Sequence, residues 1–467
     1  MDKKEKGKYI KKILAIGAPL LAGNLSFYLL QVADTIMVGR LGTESLGAIA
    51  MAGLFTGILT TFIWPVSVGV QVLAARRYGK VLKDAGKESL FSSEQAQFVG
   101  NTLDNGIVTG IIMGFISFSL SFSAHFWLSL LIKDPYLVPL ALSYIRVIRW
   151  ALPVMGIMMS IIGFLGGVRR TGYIMVVNVG GSLVNIFLNY IFIFGKWGFP
   201  PLGMAGAALG TIGAGILESL FLLGVVLFKK RIRQYRALHF RRIEPKMIFN
   251  MLKVFSPVLV QNVFALTVFL VYESIIGKIG TVYLAATHVI FSIFRINKTI
   301  VGGFARGASI LIGNALGAED RDDAITLMHG AFGIGSVIGG LILVIVFLAP
   351  EGIVGIFTKD PDVLAIGLKA MYFFAAFFFI EVLGYTLEMI FAGIGWGRYV
   401  LFSESTTNIL FILGLTVLLL WLKPGWGVYS AWSGFAVYQL GHAAILFAGY
   451  LSKRWLKIEV EKKTCAD

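Results

Sequence analysis

The sequence predicts an all-α polytopic membrane protein, with twelve transmembrane helices in two parallel, pseudo-symmetric six-helix lobes. Three observations carry this. The 467-residue chain is 57% hydrophobic and only 14% charged, too little charge to clothe a soluble surface. Twelve apolar stretches are long enough to cross a hydrocarbon core of about 30 Å, which takes roughly 20 residues each. Finally, the run from Val38 to Lys80 lies without a gap over Ile276 to Ala318, and Gly39, Gly42, Gly69 and Gly79 meet Gly277, Gly280, Gly307 and Gly317. Glycines matched at both ends of a long apolar run mean that the spacing of whole elements has been copied.

The elements follow in order. Met1 to Lys12 is a basic leader without a cleavage pattern that runs directly into the first span, 13–38, and is expected to stay attached. Spans 46–74, 102–131, 137–165, 172–195 and 204–228 complete a first lobe, 1–228. The sixth opens on Gly203, Gly206 and Gly210 with Ala207 and Ala208 among them, small residues that let helices approach closely. A basic linker, 229–246, precedes spans 251–276, 284–311, 326–357, 364–392, 399–422 and 428–451 of a second lobe, 247–452, with a tail at 453–467. The later spans repeat more weakly, Gly167 to Tyr173 against Gly393 to Tyr399. An even number of spans per half returns the chain to the side it left, so the two halves run parallel, and the boundary between them is the expected substrate path.

Lys and Arg collect in alternate loops, 28 on one side against six on the other (Arg40, Lys133, Lys196, Lys278, Lys359 and Lys423). The positive-inside rule puts both termini and the linker in the cytoplasm of a multi-pass protein of the cytoplasmic (inner) membrane. The formal charge of +16 is then a lipid-facing rim and not a nucleic-acid site. Cys465 stands alone, which excludes an intramolecular disulfide and a cysteine-based metal site. The five histidines are scattered with no second ligand at helical spacing, so neither zinc nor haem is expected. No clustered nucleophile or metal motif points to an enzyme, and no cofactor is implied.

An ionisable group inside a span costs about 2.5 kcal/mol or more, so each needs a partner, a water cavity or a task. Asp34 ends the first span, and Asn185 and Asn189 share one face of the fifth at i, i+4. Counted from their outer loops, Asp34 and Asn189 lie at one depth. One carboxylate with amide oxygens can hold Na⁺, or the acid can take up a proton; alternatively Asp34 caps a neighbouring helix and the asparagines join helices. No metal beyond Na⁺ at Asp34 is expected. The second half holds Glu273 in span seven, Arg295 and Lys298 in span eight, and Glu381 and Glu388 in span ten. Depth alone pairs Arg295 with Glu381 and Lys298 with Glu388. Under the repeat Arg295 and Lys298 correspond to Gly57 and Thr60, so the cationic pair belongs to one lobe only, while Arg146 and Arg149 in span four add positive charge near mid-depth. These seven charges form a substrate-cavity lining or a self-neutralising network.

The stretch Ala33-Asp34-Thr35 to Leu41-Gly42, the run from Asn185 through Asn189 to Phe199-Pro200-Pro201-Leu202-Gly203, and the copied 276–318 block together resemble multidrug and toxic compound extrusion (MATE) transporters of the MOP superfamily, the NorM-like branch most of all. The resemblance spans essentially the whole chain. It implies a pair of six-helix lobes that exchange Na⁺ or H⁺ for drugs or metabolites by alternating access. It implies that Asp34 is the coupling aspartate of the first helix and that Asn185 and Asn189 are the pair of the fifth, where other branches often carry aspartate in place of Asn189. The glutamate that NorM-like members hold in helix seven falls here at about Ala265, and their helix-ten aspartate near Tyr385. The expected protein is a monomer in a lipid bilayer, a cation-coupled antiporter for a small-molecule substrate. Arg146, Arg149, Arg295 and Lys298 favour an alternative within the superfamily, a flippase or exporter of an anionic or lipid-linked compound.

Overall fold

The computed structural model describes residues 3–131, 136–240 and 243–461; Lys133, Arg241, Arg242 and Cys465 lie outside the described residues. Among the described residues twelve helices are long and apolar enough to cross a membrane. They are α1 (Lys3–Gly39), α2 (Thr43–Ala85), α3 (Ser93–Leu130), α4 (Leu137–Gly167), α5 (Thr171–Phe194) and α6 (Gly203–Phe228), then α7 (Pro245–Ile279), α8 (Thr281–Gly317), α9 (Arg321–Leu348), α10 (Pro361–Gly393), α11 (Gly397–Leu422) and α12 (Val428–Leu451).

Most spans extend past the apolar stretch that announces them, because a polar turn can continue a helix into water. The basic leader is itself helical and continuous with α1. The start of α3 is set by a capping box, in which Ser92 and Gln95 satisfy each other's backbone N–H groups. One expectation fails: span nine does not run to 357. Ala349 leaves the helix at φ −139° and Pro350 opens a separate short helix, Pro350–Phe357. Proline lacks the N–H that would continue the ladder and disfavours helical backbone in the residue before it. Within spans, α2 turns at Phe62–Ile63 ahead of Pro65, and α4 tightens at Arg149–Ala151 ahead of Pro153. α11 widens into a π-helical stretch, Asn408–Leu415.

Contacts gather the chain into two units. One, here the His442 unit, holds 1–21, 260–312 and 321–458; the other, the Asp34 unit, holds 22–259, 313–320 and 459–467. The cut by contact therefore differs from the cut by repeat at the leading helix of each half. In the His442 unit the early part of α1 packs on α8, where a Cβ on Gly307 would meet Gly17 Cα at 2.8 Å and Ile13 O at 3.3 Å. In the Asp34 unit the early part of α7 packs on α2, where a Cβ on Gly69 would meet Phe255 at 3.0 Å and Met251 O at 3.1 Å. Gly69, Met251 and Phe255 are the repeat mates of Gly307, Ile13 and Gly17, so one packing motif is used twice. A third pair of glycines closes the Asp34 unit: a Cβ on Gly79 would strike the backbone of Asn314, and one on Gly317 the backbone of Arg76. Asn314, buried, donates to the carbonyls of Ala75 at 2.9 Å and Gly167 at 3.0 Å and accepts from Arg169.

The core of the His442 unit is aromatic. Phe291, Phe294, Phe374, Phe378, Trp432 and Phe435 are buried together, with Phe294 and Phe378 centroids 4.3 Å apart. Buried polar tips are satisfied: Tyr272 donates to Ala431 O at 2.7 Å and Trp432 to Thr287 at 2.9 Å.

The linker is held down. Asp104 and Asn105, buried in α3, accept from the backbone N–H groups of Leu238, Phe240 and Glu244, and Asn101 donates to Glu244 at 2.8 Å. Arg236, Leu238 and Phe240 take positive φ (50°, 66° and 47°), a strained path that these bonds offset. Glu88 gathers Tyr235, Gln234 and Arg170 at 2.6 to 2.8 Å. Burial, then the bond to Glu88, holds the Tyr235 phenol well above its ordinary value.

Candidate functional site

In the Asp34 unit the expected group assembles. Asn189, fully buried, donates to Asp34 Oδ1 at 2.7 Å and to Asn185 Oδ1 at 2.7 Å. Asn185 in turn donates to Thr211 of α6 at 3.3 Å. Gly210 explains how the amide reaches this place, since its missing side chain leaves room for Asn189 Oδ1 against α6. That oxygen is buried and has no hydrogen-bond partner among the described residues. Asp34 itself is half-buried, and its charge acts on Tyr144 of α4. The carboxylate, the two amides and a hydroxyl thus form a small polar cluster in which Asn189 turns its N–H groups to Asp34 and Asn185 and its orphaned Oδ1 to α6; the carboxylate can take up a proton or a hard monovalent cation. Thr211 and Tyr144 went unnoticed in the sequence, where neither carries a charge; Thr211 stands one residue after Gly210 and its place in the small-residue run of α6 was the available clue.

The repeat mate of Asp34 is Tyr272, which sits in the aromatic core. Among the described residues the second half therefore carries no copy of this site at the equivalent position. Its ionisable groups lie elsewhere and pair differently from the depth ranking. Lys298, not Arg295, meets Glu381, at 3.8 Å, and covers the Tyr385 ring at 5.2 Å. Glu273 pairs with His288 at 3.4 Å, with Arg295 contributing to its field. Arg295 is exposed. Glu388 accepts from Gln261 of α7 at 2.7 Å and lies 3.5 Å from His442 of α12. In the first half Arg146 is exposed and Arg149 lies on the Phe122 ring at 4.6 Å.

Two residues absent from the sequence-derived set complete this second group. Glu404 of α11 accepts from Asn408 at 3.1 Å and from Tyr438 at 3.0 Å, and lies 3.4 Å from His442. Each was detectable as a polar pair at i, i+4 inside a span, Glu404 with Asn408 and Tyr438 with His442. Spacing along one helix was too narrow a test for the histidines, because the partners come from three helices.

Twelve spans in two repeated sets of six, with a carboxylate–amide group and a lysine–glutamate pair inside them, define a polytopic membrane transporter. The sequence matches the model of the MatE family over residues 19–191 and 257–418. The chain belongs to that family. It is 25% identical over 459 residues to a probable multidrug resistance protein NorM of Idiomarina loihiensis, covering 95% of this chain and 94% of that one. A multidrug resistance protein MdtK of Photorhabdus laumondii is 24% identical over 465 residues, covering 94% and 95%. A crystal structure of MATE in the bent conformation superposes with a TM-score of 0.85 at 20% identity, covering 97% of each chain.

Proposed function

We propose that this protein is a cation-coupled antiporter of the cytoplasmic membrane that exports drugs or metabolites by alternating access, driven by Na⁺ or H⁺. The hydrogen-bonded set Asp34, Asn189 and Asn185 carries this reading. Asp34 takes the ion, Asn189 holds the carboxylate through its amide N–H and is itself held by Asn185, and the half-buried carboxylate leaves a route by which the ion enters. Ion and substrate must bind antagonistically for exchange to be coupled, which requires two conformations with opposite preferences. The names of the relatives, multidrug resistance proteins, support efflux of small molecules and not catalysis. Both termini are assigned to the cytoplasm from the distribution of Lys and Arg, and the working unit is a monomer in the bilayer.

The exposed Arg146 and Arg295 favour a second reading, export of an anionic or lipid-linked compound. Proteoliposomes separate the two. With a fluorescent cationic drug inside and an imposed Na⁺ or H⁺ gradient, the intact chain should show gradient-driven efflux that Asp34→Asn abolishes, and the effective gradient names the ion. Absence of cation efflux under either gradient, with transport of an anionic substrate lost on Arg295→Ala, would replace the first reading by the second.

A further inference from the structure

We infer that Glu388, Glu404 and His442 form a binding site for a divalent first-row transition-metal ion in the middle of the His442 unit, separate from the Asp34 group. One ligand atom from each lies within 4.8 Å of the others. Ligands at about 2.2 Å around a tetrahedral ion stand about 3.6 Å apart, so an inward movement of about 1 Å closes this triangle on a metal. An imidazole with two carboxylates suits Mn²⁺ or Zn²⁺ better than Na⁺.

The histidine supplies the independent observation. His442 is 4% exposed, and its Nε2 is buried without a hydrogen-bond partner among the described residues while lying 3.5 Å from Glu388 Oε2. Its other nitrogen, Nδ1, is held by Ser403 Oγ at 2.9 Å and lies 3.4 Å from Glu404 Oε2, and the Ser403 hydroxyl can donate to the His442 carbonyl at 3.5 Å. Nδ1 then donates and Nε2 presents a lone pair toward a carboxylate oxygen. Two acceptors facing each other call for a proton or a metal ion between them, and the second carboxylate, Glu404, supplies a further ligand for the metal. A hydrogen bond on the remote ring nitrogen is the usual support of a metal-bound histidine.

The carboxylates are supported likewise: Gln261 donates to Glu388, and Asn408 and Tyr438 donate to Glu404, leaving acceptor capacity free on both. Charge agrees. Lys298 faces Glu381 at 3.8 Å, and the remaining pair, Glu388 and Glu404, carries two negative charges that a divalent ion neutralises. Glu388 is the open side, with 17% of its side chain exposed against 9% for Glu404 and 5% for His442. Glu404 and Asn408 meet one α-helical turn apart, at i, i+4, where the helix gives way to the π-helical stretch.

Mn²⁺ tests this on the tag-free full chain in detergent. Titration followed by electron paramagnetic resonance should show one Mn²⁺ bound per chain. Glu404→Gln and His442→Ala should each weaken binding more than about tenfold, and Asp34→Asn should leave it unchanged. Because buried-site variants can misfold, a second readout uses the unaltered protein: spin-echo modulation of bound Mn²⁺ should show coupling to a single imidazole nitrogen. The inference is overturned by absence of bound Mn²⁺, by binding that survives both variants unchanged, or by bound Mn²⁺ without nitrogen coupling, each of which leaves His442 bridging two glutamates as a proton-bound structural group. None of these outcomes bears on the Asp34 reading, which is tested by efflux.

Discussion

Asn189 is the residue on which the coupling proposal turns. Its single amide nitrogen serves both Asp34 and Asn185, so replacing it by leucine removes two hydrogen bonds and leaves the aspartate facing an apolar side chain. Bonds of this kind inside membranes contribute about 0.6 kcal/mol on average and about 1.7 at most, which for two bonds means a weakening of ion affinity of roughly 10- to 300-fold. Asn189→Leu should therefore raise the ion concentration for half-maximal efflux within that range while leaving the number of transporters per liposome unchanged, as read by quantitative immunoblot. An unaltered ion dependence would make the asparagine mere helix glue. The association of Asp34 with Asn189 was legible in the sequence, because both count the same distance from an outer loop and the i, i+4 pair of α5 has one face. Lys298 and Arg295 show the limit of that reasoning. Depth ranks residues along the membrane normal, but three positions on a helix are separated by most of a turn, and only packing decides which of them faces α10.

Helix α3 illustrates how an element acquires a second duty. Its first turns carry Asn101, Asp104 and Asn105, polar residues at a depth where apolar ones would serve packing better, and the linker explains them. Asp104→Ala removes the acceptor of two backbone N–H groups in a segment that already holds three residues at positive φ. Unsatisfied buried donors cost about 1–3 kcal/mol, so the population of the detached linker should rise by about tenfold or more. Limited trypsin digestion of the purified protein should cut within 229–246 correspondingly faster, with cutting elsewhere unaffected. Spans were the most legible elements, since apolar length is a direct requirement of the bilayer; interruptions were less so. Pro350 lies inside an apolar run that continues on both sides, and hydropathy alone cannot register a missing N–H.

At the scale of the molecule, the repeat is a repeat of contacts as well as of letters. Gly79 and Gly317 each bring a bare Cα against the backbone of the other's neighbourhood, Asn314 and Arg76. Gly79→Ala should lower stability by about 1–3 kcal/mol through overpacking, whereas Gly57→Ala, with nothing within 4 Å of the new methyl, should be neutral or slightly stabilising. Thermal unfolding of both variants in one detergent checks the contrast. Asn314→Ala strips two donors and an acceptor from a buried junction and should cost a similar about 1–3 kcal/mol. The matched glycines were visible as a spacing, but what each of them touches was not, because a repeat specifies equivalent positions and says nothing about whether a helix packs within its own half.

That last point bears on how the protein is made. The early part of α1 has its packing surface on α8, so when the ribosome has finished the first six spans the leading helix is in place in sequence but still lacks its neighbour. It must wait until Gly307 has been synthesised. For a chain growing at about 5–20 residues per second, that interval is on the order of ten seconds. During this time Gly17 and Pro19 border lipid or a chaperone instead of protein. A truncated messenger ending after the linker would then yield a product with an unsheltered first span, an evident target for membrane quality control.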